Sequence, residues 1–194
     1  MANDSTVFGP ITPTSAEPLE GAALDDFLQS FIAQITGLPG TSVRPRWQSE
    51  APNYPPGDWC AFGIVGRIPD TYAAVIHHST GTGYDELRRH RMLAILLSFY
   101  GPDADMYAQM FSDGVQISQN HDILTAQGLG LADVGELVTA PSLLKEKWLY
   151  RIDLTVRIKQ QQVRTYGIDT ILSSSIALTT DQPSRTEIIN VTGP

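Results

Sequence analysis

The sequence predicts an α+β fold, a mostly antiparallel sheet packed against two helices, and three observations carry that reading. Residues 148–159 alternate Trp148, Tyr150, Ile152, Leu154, Val156 and Ile158 with Arg151, Asp153, Thr155, Arg157 and Lys159. Successive side chains of a strand point to opposite faces, so one face here is dry and the other polar. A parallel strand covered on both faces would not keep the polar row, whereas an antiparallel sheet with one wet face would. Upstream, Leu24, Phe27, Leu28, Phe31, Ile32 and Ile35 recur at three- and four-residue steps, which makes one apolar stripe on a helix over residues 19–36. Breakers punctuate the chain: Gly37 and Pro39 close that helix, and Pro52, Pro55, Pro56 and Gly57 mark a loop.

Residues 1–18 hold Gly9, Pro10, Pro13 and Pro18 among Ser, Thr and Asn, without periodicity. They predict a flexible arm, or one ordered only against a neighbour. A single domain over residues 19–178 follows, and residues 179–194 read as a loosely held tail. Within the domain, a short strand over 43–48 precedes the proline-rich loop. Residues 59–65 and 72–78 predict two strands joined as a hairpin across Arg67-Ile-Pro-Asp70. Residues 85–100 fit a buried helix or a long strand on period alone. The flanking Gly81-Thr-Gly83 and Gly101-Pro102 favour the strand.

Pro102 suits the first position of a second helix, with Asp103 and Asp105 in its positive first turn. Met106, Met110 and Phe111 give that helix its apolar side. Residues 120–139 supply a turn of helix and a strand near 129–137. The strand that begins at Trp148 ends in a turn at Gln160-Gln-Gln162, and a return strand runs from Val163 to about Ile176. Its apolar row is expected to pack on the two helices.

Composition narrows the function. A net charge of -8 argues against holding nucleic acid by charge, since phosphate neutralisation needs a basic stripe and the arginines here are scattered. Cys60 is the only cysteine, so no internal disulfide forms, which fits a reducing compartment. The first residues have neither the basic nor the apolar region of a signal peptide. The apolar run at 92–97 is too short to span a bilayer. Expected, then, is a soluble protein made in a cytoplasm, with no membrane partner.

Catalytic motifs are absent from the pattern. His77 and His78 are adjacent and face opposite sides of a strand, His90 and His121 are isolated, and no metal-ligand spacing occurs. Cys60 lies in an apolar strand, where a buried inert thiol is the default. Gly81-Thr-Gly83 and Gly128-Leu-Gly130 read as turns, since neither has the strand-then-helix setting of a dinucleotide loop. No cofactor, metal or catalytic residue is expected.

Several stretches, in order, carry a resemblance. They are Arg44-Pro-Arg-Trp-Gln48 before the proline-rich loop, Trp59-Cys-Ala-Phe-Gly-Ile64, Ser98-Phe-Tyr-Gly-Pro102, Asp113-Gly-Val-Gln-Ile-Ser-Gln-Asn120, and Pro141-Ser-Leu-Leu-Lys-Glu-Lys-Trp-Leu-Tyr-Arg-Ile-Asp153. Together, over residues 20–176, they resemble the neck or tail terminator family of long-tailed bacteriophages. The resemblance implies a terminator-like α+β domain and a non-enzymatic virion protein of the neck. It implies a homo-oligomer, a hexameric ring, that caps the tail tube, stops its growth and joins the tail to the head connector or stopper. The implied partners are tube protein, connector and, where one exists, sheath, with genomic DNA passing through the lumen unbound. An acidic ring wall would repel DNA and favour sliding.

Candidate subunit or partner contacts are Arg46, Trp47, Pro55, Arg151, Asp153, Arg157 and Lys159. The polar row of the opening strand is expected at a subunit contact, because a ring must bury some charged sheet surface by pairing it. Readings of other classes stay open: a small-molecule-binding or regulatory α+β domain, another head-tail completion protein, or an enzyme pairing Cys60 with a distant histidine.

Overall fold

A computed structural model describes residues 8–48, 55–144, 147–170, 173–181 and 184–192. Helix α1 (Gly21–Thr36) is followed by a 3-10 turn and strand β1 (Val43–Pro45). Then come β2 (Trp59–Pro69), β3 (Ala74–His78), β4 (Tyr84–Tyr100), α2 (Ala104–Gly114) and α3 (Ser118–Thr125). The remainder is strand: β5 (Leu129–Thr139), β6 (Ser142–Leu144), β7 (Lys147–Leu149), β8 (Arg151–Gly167), β9 (Ser173–Asp181) and β10 (Ser184–Thr192). The class is α+β with a mostly antiparallel sheet, as the strand pattern predicts.

By chain contacts there are two compact units. One comprises Glu17–Ala73 and Arg88–Val163; the other comprises Met1–Ala16, Ala74–Leu87 and Arg164–Pro194. The six-stranded sheet runs β1-β2-β4-β8-β5, with β3 also paired to β4. Strand β2 is antiparallel to β4 and parallel to β1, and β5 is antiparallel to β8.

In the first unit, period-two and period-3.6 patterns meet in one core. Strand β2 sends Cys60, Phe62 and Ile64 to it, β4 sends Leu93, Ile95, Leu97 and Phe99, and β8 sends Ile152, Leu154, Val156 and Ile158. Helix α1 covers them with Leu24, Leu28, Phe31 and Ile32, the stripe read from the sequence. The Phe31 ring meets Phe111 of α2 edge-on at 6.4 Å. Gly37 ends α1 in the left-handed region at φ 72°, and its N–H closes on the Ala33 carbonyl at 2.9 Å. Glycine suits that position because L side chains rarely adopt a positive φ, although the space around it is open.

Several expectations need correction. Strands β2 and β3 are not a hairpin: β2 continues through Arg67-Ile-Pro69 and both strands pair with β4. Pro102 precedes the N-cap residue Asp103 rather than occupying the first helical position. The Asp103 N–H instead binds the Asp58 carboxylate at 2.9 Å, while Asp105 does sit in the first turn. Met106 and Met110 are exposed; Ala104, Ala108 and Phe111 form the buried side of α2. Small residues let α2 approach the core closely, which a search for large apolar residues overlooks. A third helix, α3, also packs on the core through Leu124.

The opening strand is differently bounded as well. Trp148 belongs to β7, Tyr150 lies between strands, and both are exposed. No turn occurs at Gln160–Gln162. Strand β8 runs on to Gly167, with Gln160 and Gln162 extending the inward row. Gln160 is only 1% exposed yet fully engaged: it accepts from Arg91 Nε at 2.6 Å and donates to the Leu19 carbonyl at 2.7 Å. Buried polar groups are tolerated when paired in this way. Arg91 also faces Glu20 at 3.3 Å, and Gln162 donates to the same carboxylate.

In the second unit, Thr14 N–H binds the Thr165 carbonyl at 2.8 Å, and Thr165 N–H binds Ser15 Oγ at 3.2 Å. These bonds fasten residues 14–15 of the arm to the end of β8. Residues 173–192, which the sequence divides between a return strand and a loose tail, contain the antiparallel pair β9–β10. Strands β3 and β4 flank the turn at Thr80–Gly83, whose Gly83 N–H meets the Thr80 carbonyl at 3.4 Å.

Candidate assembly interface

Alternation decides what the outer face of the sheet carries in the first unit. With odd β8 residues facing away from the core, Arg151 and Asp153 lie outward beside Ser98 of β4. Ser98 stands between Leu97 and Phe99, both core residues, so strand parity alone turns its hydroxyl outward. Ser98 Oγ donates to Asp153 Oδ1 and accepts from Arg46 Nη2. Arg151 donates twice to Asp153, Nε to Oδ1 at 2.7 Å and Nη2 to Oδ2, and Nη1 reaches Ser142 Oγ at 3.1 Å. The chain Arg46–Ser98–Asp153–Arg151–Ser142 thus ties the end of β1 to β4, β8 and β6.

The electrostatics follow from those contacts. Burial pushes the Asp153 carboxyl upward, but the Arg151 and Ser98 hydrogen bonds, with the Arg151 and Arg46 charges, outweigh it and hold the group below its ordinary value. The Asp153 hydrogen bond raises Arg151 against the opposing effect of burial. The Arg151 guanidinium also lies 5.8 Å from the Tyr100 ring centroid. Tyr100 stacks in turn on Trp59, its register partner, at 4.1 Å.

That clamp lies at the root of the β6–β7 ribbon. Leu143 and Trp148 are directly opposed across the ribbon, so they share one face. They are 62% and 73% exposed. Val138 and Tyr150 add exposed apolar surface in the segments flanking this ribbon. Scattered surface hydrophobes need no explanation, but a cross-strand Leu–Trp pair in solvent is the composition of a contact anchor. Tyr150 is itself fixed, because its carbonyl accepts from Gly101 N–H at 3.2 Å.

The residues proposed from sequence divide accordingly. Arg46, Arg151 and Asp153 are brought together in one network. Trp47 is next to it and exposed, held at φ 58°, a conformation rare for a non-glycine residue. Its ring lies so close over Gly63 that a Cβ there would stand 2.7 Å from it. A shallow cavity of about 110 Å³ opens beside Trp47, lined by Asp25, Arg46, Gly63 and Arg67. Arg157 pairs with Asp133 of β5 in an exposed contact, and Lys159 lies exposed opposite Gly130. Pro55 is half-buried. The preceding loop residues 49–54, with Pro52 and Asn53, lie outside the described residues.

Sequence reasoning missed Ser98, Ser142 and Leu143. Parity within β4 would have found Ser98. The Lys145-Glu146-Lys147 run between the apolar pairs Leu143-Leu144 and Trp148-Leu149 would have signalled a two-stranded ribbon there.

Burial pushes the Cys60 thiol far up, which keeps it protonated and poorly nucleophilic. Among the described residues, no cluster of three or more His, Cys, Asp or Glu could hold a metal ion. Also among them, no helix is long and apolar enough to cross a membrane.

No curated protein matches this chain. Residues 22–182 match the family described as phage neck terminator protein, a span running from α1 past β9. With the matched span covering most of its length and an α+β sheet of the expected kind, the chain belongs to the phage neck terminator protein family, a family of bacteriophage neck structural proteins.

Proposed function

We propose that this protein is a non-enzymatic virion component that closes the head-proximal end of the tail. Copies assemble into a ring, hexameric by the family resemblance, that caps the tail tube, stops its growth and receives the head connector. DNA passes through the lumen without specific binding, which suits a protomer of net charge -8. Family membership supports the neck assignment.

The observation that carries the assembly reading is the Leu143–Trp148 pair on a ribbon whose root is clamped by Arg151. An apolar pair already aligned across a ribbon gives up less conformational freedom on contact than one on an unpaired segment, which suits an interface anchor. Replacing both residues, Leu143→Ser with Trp148→Ser, should leave the fold intact because both are exposed. Electron micrographs of particles carrying that variant should show tails of irregular length or tails unjoined to heads. Tails of uniform length joined normally to heads would remove the ribbon from the assembly surface.

A further inference from the structure

Among the described residues, three strands of the six-stranded sheet pair with one neighbour each: β1, β5 and β3. An edge strand offers unpaired N–H and C=O groups, and folded proteins guard such edges with shortness, proline, charge or bulges. Strand β1 is three residues long and ends in Pro45. Strand β5 is broken in register twice, between Leu131 and Asp133 and again between Val134 and Leu137.

Strand β3, five residues long, carries no proline and no Lys, Arg, Asp or Glu. Its sequence is Ala-Val-Ile-His-His, and Val75 and Ile76 are exposed. His77 Nδ1 is 2.6 Å from Asp85 and His78 Nε2 is 3.5 Å from Glu86, both on β4, while His77 Nε2 lies 3.3 Å from Thr170 Oγ1. Among the described residues, β4 is the only strand that β3 pairs with.

The same chain carries the complementary half. Strands β9 and β10 form an unbroken antiparallel ladder from Ser173↔Thr192 to Asp181↔Ser184. Among the described residues the pair belongs to no larger sheet. An isolated two-stranded hairpin is marginal in water and gains stability from a third strand.

We infer that the open edge of β3 receives the β9–β10 hairpin of a second copy of this chain. Strand addition of this kind draws its affinity from main-chain hydrogen bonds. Because the edge and the hairpin are different surfaces, the contact is head-to-tail, and repetition closes a ring when the rotation permits. The inference rests on the assembly reading above and assigns it a contact.

The test places the photo-reactive residue benzoylphenylalanine at position 75 in full-length chain, mixes light and isotopically heavy copies, assembles particles and irradiates them. Mass spectrometry should find mixed-label crosslinks from position 75 into residues 173–192, and adding Ile76→Lys beside it should abolish them. Crosslinks into those residues of the same chain, into another protein, or none at all would overturn the proposal. Mixed-label crosslinks into other segments would also overturn it, while leaving self-assembly itself standing. A monomeric mass together with no inter-copy crosslink would remove both.

Discussion

Arg151 Nε donates to Asp153 Oδ1 at 2.7 Å, joining two residues that stand on the same face of one strand, two positions apart. Arg46 reaches the same carboxylate through Ser98, so one acidic group serves two guanidinium groups. The polar row that first identified the sheet is therefore bound internally at this end. It is freer at the other, where Arg157 and Lys159 are exposed.

Asp153→Asn should destabilise the fold, because it leaves the Arg151 and Arg46 charges without their counter-ion. Breaking a fully buried pair costs about 3–5 kcal/mol. The side chains of Arg151 and Asp153 retain 25% and 17% of their exposure, so solvent screening lowers the expectation to about 2 kcal/mol. Urea unfolding measures this, and an unchanged midpoint would show that the network contributes nothing to stability.

The pH dependence has two opposite parts. Asp153 has a depressed folded pKa, so its stabilisation is complete above the ordinary carboxylate value near about 3.9 and is lost as pH falls through the folded value. The deficit of Asp153→Asn should therefore be constant from neutral pH to about pH 5 and shrink below about pH 4. Asp25 behaves in reverse: burial raises it, Arg67 offsets part of the rise, and Asp26 adds to it. Its charged form is a cost at neutral pH that disappears below the unfolded value. Asp25→Asn should raise the melting temperature at pH 7 and have little effect near about pH 3. Thermal melts across that range check both signs.

Gln160→Leu should cost about 1–3 kcal/mol, because the Leu19 carbonyl loses its donor and Arg91 loses an acceptor where little water enters. A neutral or stabilising result in chemical denaturation would mean that those groups find other partners.

Self-association provides a different probe of the charged row. Arg151→Glu is a poor test of a subunit contact, since it would break the clamp within the protomer. Arg157→Glu combined with Lys159→Glu touches only exposed side chains and one surface ion pair, worth under about 1 kcal/mol. That double variant should melt normally and fail to form multimers in sedimentation. Wild-type assembly would return this end of the strand to a solvent-facing role.

Helix α1 and the inward row from Ile152 to Ile158 were legible because each repeats at its own period against polar neighbours. Strand β4 needed its flanking turns as well, since period alone left it ambiguous. The Gln160–Gln162 continuation was not legible: a local reading takes three glutamines for a turn, and only Arg91 and Leu19 brought by the fold make them interior residues. The same holds for the interface. Arg46, Arg151 and Asp153 could be nominated singly, but their union through Ser98 depends on β4 lying between β2 and β8. Sequence adjacency also attached Trp148 to the wrong strand, because strand parity continues unbroken across Tyr150 while the backbone does not.

The most direct test is a reconstruction of the assembled neck at side-chain resolution. Copies of this chain should form a closed ring between the last tube layer and the head connector. The Leu143–Trp148 ribbon should be buried against a neighbouring protein. A neck in which this chain occurs as isolated copies, or in which that ribbon faces solvent, would contradict the proposed role.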